Sequence, residues 1–405
     1  MIRVTTSKRI CIIGPLHYES DSRTMRYAEA LQKEGNQVDV VCVRKPGEPS
    51  FVTIRGVNVH GIRTRKRNEK GKLAYLWRLG IFTVHAGFYV GLLHLRRRFD
   101  VVHAHSIPDY IVFSALVPKL TGTKVILDIY DVTPEFYLSK FQARPESLAY
   151  KALLLVEKVS CKFADHVISA NDLWQTKLTS RAVPEGKCSS FVNYIDLRIF
   201  YRHERRRTDD RFIVMYPGIL NWHQGVDIAV RAFKLLSEKV PNAEFHIYGD
   251  GPEKPHLEAL IAELGLEGKA LLKESVPLVE VPQIMADADM GVVGKRADMF
   301  GNEAYSTKIA EYMSQGLPTV IPRTAIDSYY FSESEVMFYE PGNHQDMAEK
   351  MLTVAGDAEL RKRLIENGFG YVERNNWEGK IPDYLSLVYG LANGLENEGE
   401  LVDAL

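Results

Sequence analysis

Short apolar runs rich in Val and Ile alternate along the chain with longer segments whose apolar residues recur every three or four positions. "RICIIG", "QVDVVCV", "DVVHAH", "KVILDI", "HVISA" and "SSFVN" predict strands in the first half, separated by helices or crossovers. The second half repeats the scheme with "FIVMYPG", "AEFHIYG", "ALLKESV", "MGVVG" and "PTVIP", between segments such as "GVDIAVRAFKLLSEKV". Apolar strands without polar alternation are buried on both faces, so the pattern predicts an α/β protein with two parallel sheets covered by helices. Between the halves, "YRHERRRTDDR" (201–211) is charge-rich and aperiodic and reads as a linker. The expected division is 1–200, a linker 201–211, 212–375, and a C-terminal helical segment 376–405.

Open parallel sheets bind ligands beyond the carboxyl ends of their strands, which sorts candidate residues by position. Gly14, His103, His105, Asp128, Tyr130 and Asp131 follow or end strands of the first half, and Gly218, Asn221, His223, Lys295 and Arg296 do so in the second. His105 could orient or deprotonate a hydroxyl near neutral pH, or serve as a hydrogen-bonded structural residue. Asp287 and Asp289 precede a strand, so this "DAD" reads as a helix end rather than a metal pair.

The stretch "EAYSTKIAEYMSQGLPTVI" (303–321) sets two glutamates eight positions apart with one lysine between them. Tyr305, Ile309, Tyr312 and Met313 keep helical spacing, and Gly316 with Pro318 ends the helix before a buried strand. Glu303 then lies at or just before the amino end, and Glu311 stands roughly 12 Å further along the axis. That is about the reach of a nucleotide sugar. Amides near 304–307, including those of Ser306 and Thr307, would seat a phosphate beside the charge of Lys308. Glu303 could hold sugar hydroxyls and Glu311 ribose hydroxyls. A surface helix with a Lys308–Glu311 pair satisfies the same spacing.

Composition narrows the class. A chain of 405 residues fits two domains, and 51 basic against 52 acidic residues give no argument for nucleic acid. Cys11, Cys42, Cys161 and Cys188 are dispersed and form no CxxC pair, which reads as buried thiols in a reducing compartment. The N-terminus leads into a strand without a signal-peptide pattern, so the expected location is cytoplasmic. One segment, "LGIFTVHAGFYVGLLHL" (79–95), carries no formal charge and sits between Arg78 and "RRR" at 96–98. A buried helix of a large domain is expected there. A membrane-surface helix remains the alternative, joined to the basic run "RTRKRNEKGK" at 63–72, which includes Arg63, Arg65, Lys66 and Arg67.

The 303–321 stretch resembles the E-x7-E region of retaining GT-B glycosyltransferases of family 4. "YPGILNWHQGVDIAVRAF", "FHIYGDGPE" and "ADADMGVVG" are similar to that family's carboxyl-domain landmarks, and "FDVVHAHSIPDY", "KVILDIYDVTPEF", "ADHVISAND" and "FVNYIDLRIF" to those of its amino domain. The resemblance covers essentially the whole chain. It implies a GT-B fold of two facing Rossmann-like domains with an interdomain cleft. The second domain would bind a UDP-sugar or GDP-sugar donor, and the first a carbohydrate or lipid-linked acceptor. It also implies retention, no required metal or other cofactor, and a C-terminal segment that crosses back to the first domain. On this resemblance Glu303, Lys308 and His105 are the expected catalytic residues. Gly14, Gly218, Asn221, His223, Lys295, Arg296, Ser306, Thr307 and Glu311 would bind donor, with His103, Asp128, Tyr130 and Asp131 on the acceptor side. The chain departs from the pattern in three places. Ile219 and Gln224 stand where the family usually presents an arginine and a lysine to the diphosphate, Tyr130 stands in place of a histidine, and the first glycine loop is reduced to "GPLHYESDSR". These departures leave open a catalytically silent sugar-nucleotide binder, and the enzyme alternative is a nucleotide-sugar epimerase or a glycogen-type transferase on a similar two-domain scaffold.

Overall fold

A computed structural model describes residues 7–64, 72–141 and 143–394. The chain divides into two compact units. The first runs through Leu138 and from Ala143 to Asn193, then takes in the chain again from Lys380, and the second is built from Tyr194–Gly379.

The first unit holds an eight-stranded sheet of order β3-β4-β2-β1-β5-β6-β7-β8. Its strands are β1 (Arg9–Ile13), β2 (Gln37–Arg44), β3 (Phe51–Ile54), β4 (Val57–Thr64), β5 (Val101–His105), β6 (Lys124–Ile129), β7 (His166–Ser169) and β8 (Cys188–Ser190). All neighbours pair in parallel except β3 with β4. That antiparallel edge hairpin lies outside the all-parallel expectation. Arg55 and Gly56 both take positive φ, at 49° and 82°, as a two-residue hairpin turn requires. Among the helices of this unit are α1 (Ser22–Lys33), α2 (Lys72–Arg96) and α3 (Leu116–Leu120).

The second unit holds a six-stranded parallel sheet of order β11-β10-β9-β12-β13-β14. These are β9 (Phe212–Pro217), β10 (Ala243–Tyr248), β11 (Ala270–Lys273), β12 (Met290–Val292), β13 (Thr319–Pro322) and β14 (Met337–Tyr339). The last, a three-residue edge strand, is absent from the expected strands. In the central strands nearly every residue is buried, including Ile10–Ile13, Val101–His105 and Ile213–Pro217, because helices cover both faces.

The unit boundary corrects two expected limits. Residues 194–200 belong with the second unit, because Ile195 and Phe200 pack into its core with Met215 and Ile309. Nor is 201–211 a free linker. Arg205 and Arg207 pair with Asp289 at 2.7 and 2.5 Å, and the amides of Arg206 and Arg207 donate to Asp287. The "DAD" residues thus strap the incoming chain to the sheet, and Asp289 also accepts from the amide of Ile213 at 2.8 Å. The helix Trp377–Ala392 begins in the second unit, where the amide of Trp377 donates to the carbonyl of Ile195. It ends in the first, where Tyr384 stacks on Tyr27 and Tyr389 accepts from Asn36.

Candidate functional site

In each sheet the connection reverses direction once, between β1 and β5 in the first unit and between β9 and β12 in the second. A crevice opens beyond the strand ends at such a reversal. In the second unit the two flanking loops approach so closely that only glycine fits. A Cβ on Gly225 would lie 2.0 Å from the Gly294 carbonyl oxygen, and one on Gly249 would lie 1.9 Å from that of Gly218. Gly218 itself has φ 147° and faces the Lys308 side chain, whose Cε would lie 2.6 Å from an added Cβ. The Nζ of Lys308 donates to the Gln224 side-chain oxygen at 3.3 Å, and that oxygen also accepts from the Tyr216 hydroxyl at 3.2 Å. The ammonium lies 5.2 Å from the Tyr216 ring centroid. Burial lowers the pKa of Lys308, Glu311 opposes that shift, and Lys295 adds to it. Ile219, at the arginine position, is 61% exposed and brings no charge.

The helix of the 303–321 stretch begins later than the periodicity predicts. It spans Thr307–Ser314, with Ser306 as its cap residue, while Glu303 lies in a preceding turn closed by its amide on the Phe300 carbonyl. The free first-turn amides therefore begin at Thr307, and the 12 Å axial spacing does not apply. Tyr305, ahead of the helix, packs against the second unit's core beside Tyr330 and Phe331, with ring centroids 5.2 and 6.0 Å away. The Ser306 side chain does not cap the helix, and its buried hydroxyl has no partner among the described residues. An orphan hydroxyl beside open amides is a place for an acceptor-rich ligand group.

The other expected cations are already engaged. Lys295 is buried, pairs with Asp327 at 2.8 Å and donates to the Ala304 carbonyl at 2.8 Å. It holds the 303–306 turn in place rather than offering a free charge, and burial lowers its pKa against the pull of Asp327. Arg296 grips both oxygens of Asp227 at 3.0 and 2.8 Å and lies 4.6 Å over the Trp222 ring. His223 is half-buried against Phe300, and burial lowers its pKa. Asn221 precedes the short turn Trp222–Gln224 and accepts the Gln224 amide on its carbonyl. In the sequence Gln224 shows only as a missing lysine. Asp227 and Asp327 carry no sequence signal, because they act through partners 69 and 32 positions away.

In the first unit, β5 and β6 bring His103, His105 and Asp128 within 4.8 Å of one another. All three have zero exposure. Arg23 from α1 binds both carboxylate oxygens of Asp128 at 2.9 Å and donates to the Phe191 carbonyl at 2.6 Å. Burial alone would raise the Asp128 carboxyl, but Arg23 and the neighbouring histidines hold it well below the usual carboxylate range. Burial lowers the pKa of both imidazoles against the pull of Asp128, and Arg23 adds to the lowering. A divalent cation does not suit this set, since Arg23 already occupies both oxygens of its only carboxylate. The expectation that His105 meets a substrate hydroxyl is corrected. Its Nδ1 bonds the Tyr130 hydroxyl, and its ring is covered by Tyr27, His103 and Tyr130. His103 is likewise interior, bonded to the Tyr384 hydroxyl at 3.0 Å. Asp128 serves as the counter-ion of Arg23.

The half-buried residues at this edge are Tyr130 and Asp131. Tyr130 donates to Asp21 and accepts from the Thr24 hydroxyl, both at 3.1 Å, and burial pushes the Asp131 carboxyl up to about 6. Gly14 follows β1 and donates its amide to the Val41 carbonyl, and a Cβ there would lie 2.7 Å from Cδ2 of Leu16.

Two α/β units, each built on a mainly parallel sheet with one reversal of strand order, make up the architecture of the GT-B fold. The profile "Glycosyl transferase 4-like domain" matches residues 20–190 and "Glycosyl transferases group 1" matches 198–370. The chain is a GT-B glycosyltransferase of the group 1 type. It is similar to the sucrose-phosphate synthase of Thermosynechococcus elongatus, with a TM-score of 0.80, 16% identity, and coverage of 96% of this chain and 100% of that one. Anabaena HepE in complex with UDP-glucose gives a TM-score of 0.72 at 14% identity, covering 95% of this chain and 100% of that one. The alpha-D-kanosaminyltransferase of Streptomyces kanamyceticus is 27% identical over 165 residues, 40% of this chain. That match spans 42% of the relative's own length. Among the described residues no helix is long and apolar enough to cross a membrane.

Proposed function

We propose that this chain transfers a hexose-type sugar from a UDP- or GDP-linked donor to a hydroxyl acceptor with retention of configuration. The observation that carries the reading is the orphan Ser306 hydroxyl at an open helix start, with the Lys308 ammonium directed to the neighbouring switch-point loop. In this reaction the acceptor oxygen bonds to the anomeric carbon as the bond from that carbon to the diphosphate breaks. A diphosphate oxygen takes the acceptor's proton on the same face, so the protein's task is to stabilise the departing charge. Lys308 and the amides of Thr307 and Lys308 do this without a metal, Glu303 holds the sugar and Glu311 the ribose. UDP-glucose bound to a protein of the same fold supports the donor class.

A polysaccharide or glycolipid precursor is the acceptor class we favour, met by Tyr130 and Asp131. A silent nucleotide-sugar binder is the second reading, favoured by the exposed Ile219 where the family presents a cation. Incubation with radiolabelled nucleotide sugars separates the two: nucleotide release or transfer supports the enzyme, while binding without turnover supports the silent reading, and sugar isomerisation marks an epimerase. Glu303→Gln is expected to lower kcat by at least tenfold, and Glu311→Ala to raise KM for donor with kcat nearly kept. Unchanged kinetics in both variants would leave these glutamates structural.

A further inference from the structure

The geometry points to the outer face of α2 as a docking surface for a bilayer containing anionic lipid. Such docking is independent of whether the chain transfers sugar. The helix is 25 residues long, about 37 Å at 1.5 Å per residue. Its inner side is fixed in the first unit: Leu79, Phe82, Ala86 and Val90 are buried, and a Cβ on Gly91 would already lie 3.3 Å from Val117 of α3. The expected buried helix is therefore buried on this side and exposed on the other.

Trp77, Val84, Phe88 and Leu95 are 70–73% exposed, and Leu92 joins them at 42%. Steps of seven, four, four and three place these five residues in one stripe opposite the core. Leu116 and Leu120 of the adjoining α3 extend the apolar surface, exposed at 50% and 78%. A face turned only to water would be polar at these positions, and a contiguous apolar one marks an interaction surface.

Charge selects the occupant. No acidic residue occurs from 72 to 98, while Arg78 lies near one end of the stripe and Arg96, Arg97 and Arg98 lie at the other, all exposed. Arg63 comes to the same helix, 3.5 Å from the His85 ring nitrogen. The rest of the sequence's basic run, including Arg65, Lys66 and Arg67, lies outside the described residues. Apolar and aromatic side chains flanked by arginines match the acyl boundary and headgroups of an anionic leaflet. A second copy fits poorly, since antiparallel pairing of two such helices would set Arg78 of one against Arg96–Arg98 of the other with no acid between. Spanning is excluded for this helix because its inner side is packed on the sheet unit.

The test is flotation of the full chain with equimolar phosphatidylcholine and phosphatidylglycerol vesicles, and with phosphatidylcholine alone. The parent is expected to bind the anionic vesicles at least tenfold more tightly, with high salt removing the difference. Phe88→Ser with Leu92→Ser and Leu95→Ser should weaken binding at least tenfold, as should Arg96→Ser with Arg97→Ser and Arg98→Ser. Both sets change exposed positions, so thermal melting should stay near that of the parent. Brominated lipid should also quench emission in the parent more than in Trp77→Phe, a readout that does not depend on the other variants. A parent that fails to float, an apolar variant that floats as the parent does, or a dimer that the apolar variant dissociates while flotation persists would each overturn the assignment.

Discussion

Lys308→Met lowers affinity for a nucleoside diphosphate sugar by tenfold or more. On the proposed reading, charge for the diphosphate is scarce, because Arg296 is committed to Asp227, Lys295 to Asp327, and Ile219 and Gln224 bring none. At its tip the Lys308 ammonium meets the neutral Gln224 oxygen and the face of Tyr216, and Glu311 favours its charged form. A ligand oxygen there gains a charge-assisted hydrogen bond, which contributes about 1.5–3 kcal/mol. Methionine keeps an apolar stem of similar length, so packing against Tyr216 persists while the charge is lost. Titration calorimetry with donor and with free nucleoside diphosphate reads the effect. Ile219→Arg with Gln224→Lys should restore part of the affinity in the Lys308→Met background. An unchanged dissociation constant in Lys308→Met would assign the lysine to the helix alone.

Asp128→Leu destabilises the fold by roughly 3–5 kcal/mol, because it strands the buried Arg23 guanidinium without its counter-charge. Arg23 is 5% exposed, and the carbonyl of Phe191 is its other acceptor. Removing both partners is far milder: Arg23→Met in the Asp128→Leu background should recover most of the loss, since apolar replacement of a buried pair is often neutral. Denaturant midpoints of the two single variants and the double variant complete the cycle. Additive losses would show that the two charges do not depend on each other.

The same cluster gives stability a pH dependence. Burial makes His103 and His105 harder to protonate in the fold than in the unfolded chain, and burial lowers His166 to about 4. Each takes up a proton on unfolding below about pH 6.5, so each withdraws up to about 1.4 kcal/mol of stability per pH unit as pH falls below that value. Asp128 acts lower: its folded pKa is depressed, so its contribution is present above the unfolded value near 3.9 and is lost only as pH falls through and below it. A denaturant midpoint lower at pH 5.5 than at pH 7.5 is the expected result, and a flat profile would mean that these imidazoles are charged in the fold.

Hydrophobic patterning alone determined the two parallel sheets and most strands, because a strand buried on both faces must be apolar throughout, whatever its neighbours. It also placed Gly218, Lys308 and the helix before β13, since strand ends and helix stops are local signals. The β3–β4 hairpin is legible in "FVTIRGVNVHGIRT" too, through its alternation around Arg-Gly, but the basic run beside it favours a loop. Tertiary structure decided which charges are spent. Lys295 and Arg296 look like free cations at a strand end until Asp327 and Asp227 close on them, and His105 looks like a base until Tyr130 and Tyr27 cover it. It also decided that one side of α2 faces outward, which its nearly uniform apolar sequence could not express. The reason is common to all of these. Periodicity records whether a position is buried, while the partner of a polar group and the cover over an apolar one come from segments brought together only when the chain folds.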